Sequence, residues 1–269
     1  MKLSFAIKKL KEAGVPDAAY DARAIFEEFG KLEKKELYGN DPDVSSDELI
    51  LAVERRAKRE PLQYIIGRAY FYGEEYKVSR DCLIPRQDTE ILVEQAIARI
   101  PKGKRFADLC TGSGCVGISV LKHTDSTTAV LADISDGALA LARENASRNG
   151  VEERAIAAHH DVLSGIVEGG LFAVLSNPPY VSEAAYAELE REIYFEPKIA
   201  FVGKDDGAEF YKKLIPLYRD SIDKEGFIAF EIGFDQGDLL RSLADSNSMN
   251  CEIIKDLSEN DRVAVLTLN

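Results

Sequence analysis

From Phe106 to the end of the chain, short apolar runs alternate with segments of helical periodicity, and few architectures satisfy that alternation. Strand candidates lie at residues 106–110, 129–134, 155–160, 171–175, 226–232, 251–256 and 263–268, with helical candidates at 116–122, 136–149, 209–221 and 236–244. Strands that alternate with helices pack as a parallel sheet covered on both faces. Only residues 257–262 join the last two strands, too few for a crossover helix, so that pair should run antiparallel. The expected fold class is α/β: a seven-stranded Rossmann-like sheet beside a small helical domain.

The 269 residues are enough for one such domain and a smaller partner. Residues 1–61 read as a helical bundle, with Ser4, Asp17 and Ser46 as helix caps and Phe5, Ile7, Leu10 and Ala13 as the first apolar face. A bundle this small makes a poor reaction chamber and a plausible docking module for a substrate. Pro61 should end the helical part, and residues 62–82, rich in aromatic and β-branched types, read as a β-hairpin linker. Residues 83–269 then form the α/β domain, opened by a helix that Asp88 caps.

Acidic residues outnumber basic ones, 47 to 34, for a formal charge of −13. An acidic surface repels phosphate backbones, so direct DNA binding is not expected. Cys82, Cys110, Cys115 and Cys251 show no C-x-x-C spacing, which argues against a zinc site or a disulfide framework. No run approaches ~18 apolar residues, and the first residues lack a continuous apolar core, so neither a membrane span nor a signal peptide is expected. A cytoplasmic protein with reduced thiols is the expectation.

Two stretches carry chemistry. The first runs from Asp108 through Cys110, Thr111, Gly112, Ser113 and Gly114 to Gly117, a passage from strand to helix through a glycine turn. Asp133 follows at about the distance expected for a carboxylate that grips ribose hydroxyls. A dinucleotide or S-adenosylmethionine could use such a turn. Asp108 at its mouth would repel a pyrophosphate and attract an ammonium and a sulfonium, so the charge balance favours S-adenosylmethionine. Asp161 and Val162, after the third strand, stand where an adenine amino group and ring could be met. His159 and His160 point to opposite sides of a strand and cannot act as a pair.

The second stretch is Ser176-Asn177-Pro178-Pro179-Tyr180, which stops the apolar run 171–175 at its carboxyl end, where open α/β sheets keep their ligands. Two prolines remove N–H groups and stiffen the backbone. The loop then offers carbonyl oxygens and the Asn177 amide oxygen to a planar NH2 group, with the Tyr180 ring beside it. An amide nitrogen is a poor nucleophile, and fixed acceptors would orient it and stabilise the charge it gains on alkylation.

These residues resemble the HemK-type peptide chain release factor glutamine methyltransferases. The likeness runs through residues 60–67, the stretch Ile84-Pro85-Arg86-Gln87-Asp88-Thr89-Glu90, the turn 108–114, Asp133, Asn177-Pro178-Pro179-Tyr180 and Phe195-Glu196-Pro197. It departs at Gln87, where the family usually has proline, and at Cys110, where glycine is common. The resemblance implies methyl transfer from S-adenosylmethionine to the glutamine amide of the Gly-Gly-Gln loop in class I release factors, during translation termination. By the same resemblance, Cys110 through Gly114, Asp133 and the Asp161-Val162 edge hold the cofactor beside Asn177. Asn177 and the Pro178 carbonyl hold the glutamine amide within a rim completed by Pro179, and Tyr180 packs on it. Residues 181–206 become a candidate wall or lid.

Four rivals remain at this point: a ribosomal-protein glutamine methyltransferase, an adenine-N6 DNA methyltransferase, an NAD-dependent oxidoreductase and a non-catalytic cofactor-binding module. The charge of −13 opposes the DNA enzyme. Asp108 opposes the dinucleotide enzyme.

Overall fold

The computed structural model describes all of Met1–Asn269, as two compact units. One comprises Met1–Arg68 together with Glu190–Phe195, and the other Ala69–Leu189 with Glu196–Asn269.

The first unit is helical: α1 (Leu3–Glu12), α2 (Ala18–Gly30), α3 (Lys34–Leu37), α4 (Asp47–Ala57) and α5 (Leu62–Ile66). Its core gathers Leu3, Ala6, Leu10, Ile25, Phe26, Leu49, Val53 and Ile65. Phe5 points outward instead, because the helix begins at Leu3 and the buried stripe is Leu3, Ala6 and Leu10. Ser4 lies inside α1 and is no cap; the distant Asp41 carboxylate accepts from its backbone N at 2.7 Å and its hydroxyl at 2.8 Å. Ser46 does cap α4, accepting from Leu49 N. Pro61 does not end the helical part. It stands at the start of α5, where a missing N–H costs nothing, and the break falls at Gly67, with φ of 85°.

Residues 190–195 belong to this helical unit, and the Glu192 side chain ties them to it. The Glu192 carboxylate accepts from Arg59 Nε at 2.5 Å and Nη2 at 2.6 Å, and from Arg56 Nη1 at 3.2 Å. Arg56 is itself buried against Asp21, with Nε 2.7 Å from Oδ2. The expected wall at 181–206 therefore divides, with its middle six residues anchored on helices.

The second unit begins with a hairpin, β1 (Arg68–Phe71) and β2 (Glu74–Lys77), shorter than the expected 62–82 because α5 takes the first residues. A turn of 3-10 helix, Gln87–Thr89, then leads into α6 (Glu90–Arg99). The sheet follows as β3 (Arg105–Leu109), α7 (Cys115–His123), β4 (Thr128–Asp133), α8 (Asp136–Arg148), β5 (Ala155–His159) and β6 (Leu171–Ser176). After α9 (Glu183–Tyr186) it closes with α10 (Glu209–Arg219), β7 (Ile222–Glu231), α11 (Gly237–Ser246), β8 (Met249–Lys255) and β9 (Asp261–Leu268). The strand order is β5-β4-β3-β6-β7-β9-β8. All neighbours are parallel except β7 with β9 and β9 with β8, so the seven strands and the antiparallel ending agree with the sequence.

The chain leaves β3 toward β4 on one side and returns as β6 on the other. That reversal opens a crevice at the carboxyl ends of β3 and β6. The register pairs Leu109 with Ser176, which sets the glycine turn and the Asn-Pro-Pro-Tyr loop side by side.

Candidate active site

A cavity of about 360 Å³ occupies this crevice, within the usual range of small-molecule sites, ~300–1,000 Å³. Of the residues expected to bind cofactor or substrate, Asp108, Cys110, Thr111, Gly112, Ser113, Asp133, Asp161, Val162, Asn177 and Pro179 line it. Gly114, Pro178 and Tyr180 are not among its walls. Gly114 is instead the left-handed cap of α7, where an added Cβ would lie 2.7 Å from Ile118 Cδ1.

Asp108 is buried, and its Oδ2 accepts from Thr111 Oγ1 at 2.5 Å and from Gly117 N at 3.0 Å. Its carboxylate thus ties the first turn of α7 to the end of β3. Burial pushes its pKa up to about 7 despite the hydrogen bonds from Thr111 and Gly117. Asp133, at the end of β4, accepts from Gly112 N and from Ser135 N, each at 2.9 Å. Each oxygen keeps a lone pair for a ligand hydroxyl. Asp161 is exposed and turns back on Leu163 N at 3.0 Å, with Val162 buried behind it. His159 and His160 go to separate partners, Asp136 and the Gly165 carbonyl.

Cys110 has φ of 57°, left-handed and unfavourable for a residue with a Cβ. The place where the sequence departs from glycine is thus a place where glycine would fit the backbone more easily.

The Asn177 loop is braced from three directions. Ser176 donates its hydroxyl to the Leu109 carbonyl. Asn177 Nδ2 donates to Thr89 Oγ1 at 3.2 Å, which leaves the amide oxygen to the cavity. Tyr180 donates its hydroxyl to Glu231 at 3.1 Å, and its carbonyl accepts from Gln236 Nε2 at 3.2 Å. Burial raises the Tyr180 pKa, reinforced by the Glu231 charge, so the ring keeps its proton. Behind the loop, Gly203 and Gly207 come so close that an added Cβ would sit 2.4 Å from the Pro179 carbonyl oxygen and 1.9 Å from that of Tyr180. Side chains at either position would drive the loop away.

Sequence reasoning assigned no role in the site to Thr89, Arg86 or Pro197, all of which line the cavity. Thr89 and Arg86 lie in the Ile84–Glu90 stretch, read there only as a likeness and as the start of a helix. Glu196 was equally unassigned: it is buried, pairs with Arg86, and accepts from Ile84 N at 2.9 Å. Burial raises its pKa, and the Arg86 charge opposes the rise. A buried carboxylate followed by proline, after an arginine beside a proline, was the available signal.

The donor set fits S-adenosylmethionine. Carboxylates of Asp81, Asp133, Asp161 and Glu209 outnumber the cations of Arg86 and Lys204 around the cavity, a balance that suits a positively charged ligand and not a pyrophosphate. Ser113 Oγ is buried there without a partner, an orphan that a ligand can satisfy. An added Cβ at Gly112 would meet only Cys82 Cβ, at 3.9 Å, so the turn presents bare backbone.

Sheet, reversal point and acidic cavity together define an S-adenosylmethionine-dependent methyltransferase. Residues 86–194 match the family described as "Methyltransferase small domain", and residues 2–67 match "PrmC N-terminal domain". The chain is 37% identical to a "Release factor glutamine methyltransferase" of Thermodesulfovibrio yellowstonii, over 88% of each chain. It is 33% identical to the protein of the same name from Caulobacter vibrioides, over 96% of this chain and 92% of that one. A methyltransferase structure from Pyrococcus furiosus shares the fold with a TM-score of 0.54 at 17% identity, over 72% of this chain and 88% of that one. This chain belongs to the release factor glutamine methyltransferase family.

Proposed function

We propose that the protein methylates the side-chain amide nitrogen of the glutamine in the Gly-Gly-Gln loop of class I peptide chain release factors, in the cytoplasm. The observation that carries this reading is the orientation of Asn177, whose nitrogen is spent on Thr89 while its oxygen remains for the cavity.

S-adenosylmethionine, when bound, supplies an electrophilic methyl carbon. Asp133 is placed to hold ribose hydroxyls, and Asp161 with Val162 to meet the adenine edge. Asn177 Oδ1 then accepts from the glutamine NH2, and the family resemblance adds the Pro178 carbonyl, which lies outside the cavity walls, as the second acceptor. Two fixed acceptors restrict the nitrogen's orientation and stabilise the positive charge that grows on it. The alkylated amide nitrogen is strongly acidic and gives up its proton without a dedicated base. Tyr180, outside the cavity walls, braces the loop through its hydroxyl bond to Glu231, and its packing on the amide is what the family resemblance implies.

The helical unit is the proposed docking element for the protein substrate. It leaves the large side chains Phe5, Tyr20, Tyr38 and Leu51 exposed to solvent, where a protein partner could cover them. No helix is long and apolar enough to cross a membrane.

Labelled S-adenosylmethionine incubated with the protein and purified release factors, followed by peptide mapping, tests the assignment. Label on the Gly-Gly-Gln glutamine is the expected result, with turnover reduced roughly 100-fold or more in Asn177→Ala. Label confined to a ribosomal protein or to DNA adenine would overturn the substrate, and a near-normal Asn177→Ala rate would overturn the site.

A further inference from the structure

The reading above, on which the inference rests, puts a glutamine of a protein at Asn177. The chain on either side of that glutamine must then lie on whatever surrounds the Asn-Pro-Pro-Tyr loop. Two short turns are hydrogen-bonded to the residues where that loop ends, and each shows one large apolar side chain to solvent.

The first is the 3-10 turn Lys198–Ala200. Ala200 N donates to the Pro197 carbonyl at 2.9 Å and Phe201 N to that of Lys198 at 3.0 Å. Val181 joins this turn to the loop: its N donates to the Phe201 carbonyl at 2.8 Å, and its carbonyl accepts from Gly203 N at 3.1 Å. In the middle of the turn, Ile199 lines the cavity and is still 62% exposed.

The second turn, residues 233–236, follows β7, the parallel neighbour of β6. Gln236 braces it from within. Its Oε1 accepts from Gly233 N at 2.9 Å and from the Tyr211 hydroxyl at 3.1 Å, and its backbone N donates to the Gly233 carbonyl at 3.0 Å. Its Nε2 reaches the Tyr180 carbonyl at 3.2 Å, which fastens the turn to the loop. Phe234 stands out from this turn, 67% exposed.

Single apolar side chains are ordinary on a protein surface. These two are set apart by how they are held. Each stands on a turn whose backbone is already bonded in place, so little freedom is lost when a partner covers it. Each turn is also fastened to the loop that receives the glutamine, so a protein seated there meets both. Apolar and aromatic side chains of this kind form the cores of protein interfaces. We infer that Ile199 and Phe234 are the contact points for the protein substrate, taking apolar side chains from the segments that flank its target glutamine.

Ile199→Ser and Phe234→Ser, singly and together, remove the contacts and leave the hydrogen bonds of both turns in place. Ile199→Leu and Phe234→Leu keep an apolar surface. For each variant, kcat and KM would be measured with a purified release factor, S-adenosylhomocysteine affinity by calorimetry, and the melting temperature as a check on folding.

Each serine variant is expected to raise KM roughly 10-fold, and the pair roughly 100-fold, the scale of covering one and two such side chains. Ligand affinity and melting temperature should match the parent, and the leucine variants should keep most of the parent's KM. Phe234 lies outside the cavity walls, so Phe234→Ser should also keep the parent's kcat. The inference is overturned if the double serine variant keeps a near-normal KM, if leucine is no better than serine, or if ligand affinity or melting temperature falls with the rise in KM. Asn177→Ala separates this inference from the reading beneath it. If that variant is inactive while the double serine variant keeps its KM, only the contact points fail. If Asn177→Ala is active, or the parent leaves the release factor unlabelled, the reading fails and takes the inference with it.

Discussion

The Ser176 hydroxyl donates to the main-chain carbonyl of Leu109 at 2.7 Å, a side-chain tie between the last residues of two neighbouring strands. One strand feeds the glycine turn and the other the Asn-Pro-Pro-Tyr loop. The tie therefore sets the distance between the proposed cofactor and acceptor halves of the site. Ser176→Ala leaves the carbonyl to its sheet neighbours and should cost about 1 kcal/mol of stability. Turnover should fall more than S-adenosylhomocysteine affinity, because the relative placement of the halves suffers first. Chemical denaturation beside calorimetry reads both, and equal losses would contradict this account.

At Cys110 the backbone demands φ of 57°. A left-handed residue with a Cβ costs about 1–2 kcal/mol, while glycine costs about 0.5–1 kcal/mol in unfolded-chain entropy. The two nearly offset, so Cys110→Gly should stay within about 1 kcal/mol of the parent and keep ligand affinity. Cys110→Val places a β-branched side chain in that conformation and should lose about 2 kcal/mol or more, with weakened S-adenosylhomocysteine binding. Similar melting curves for the two variants would show that backbone geometry does not limit this position.

How much of this was legible follows from where each signal sits along the chain. The strand and helix periodicities named all seven strands of the sheet to within a few residues, since buried apolar runs are local. Asp133 and the glycine turn were legible for the same reason, as one strand-turn-helix unit. Glu231, Gln236 and Gly203 were not, because each reaches the Asn177 loop from far along the chain, and their partners are main-chain or hydroxyl groups with no sequence signature. Ser4 is no cap because the helix starts before it, at Leu3, and its own N–H is satisfied by Asp41, thirty-seven residues away. Pro61 was misread because proline opens a helix as readily as it closes one.

Gly203 offers a test free of backbone strain, since its φ lies outside the left-handed region. The Cβ of Gly203→Ala would stand 2.4 Å from the Pro179 carbonyl oxygen. That atom belongs to main chain, so the loop or the 203 segment must shift. Turnover should drop by roughly 10-fold or more with only a small loss of cofactor affinity, as expected when reacting groups are misplaced by about 1 Å. Unchanged kcat would mean that the loop's position is not set from behind.

Asp108 gives a pH dependence whose sign can be worked out. Burial raises its folded-state pKa from 3.8 to about 7, opposed by Thr111 and Gly117, whereas the unfolded chain ionises near the ordinary value. The folded form holds its proton more tightly, so the contribution to stability is full below about pH 4 and is lost as pH rises toward about 7. Asp108→Asn can turn its amide oxygen to the same two donors and does not titrate. The stability difference, parent minus variant, should fall by up to about 4 kcal/mol between pH 4 and pH 8. Using the difference cancels the other carboxylates, many of which titrate in the opposite sense. Denaturant melts at four or five pH values measure it, and a difference that stays flat would show that Asp108 is ionised throughout.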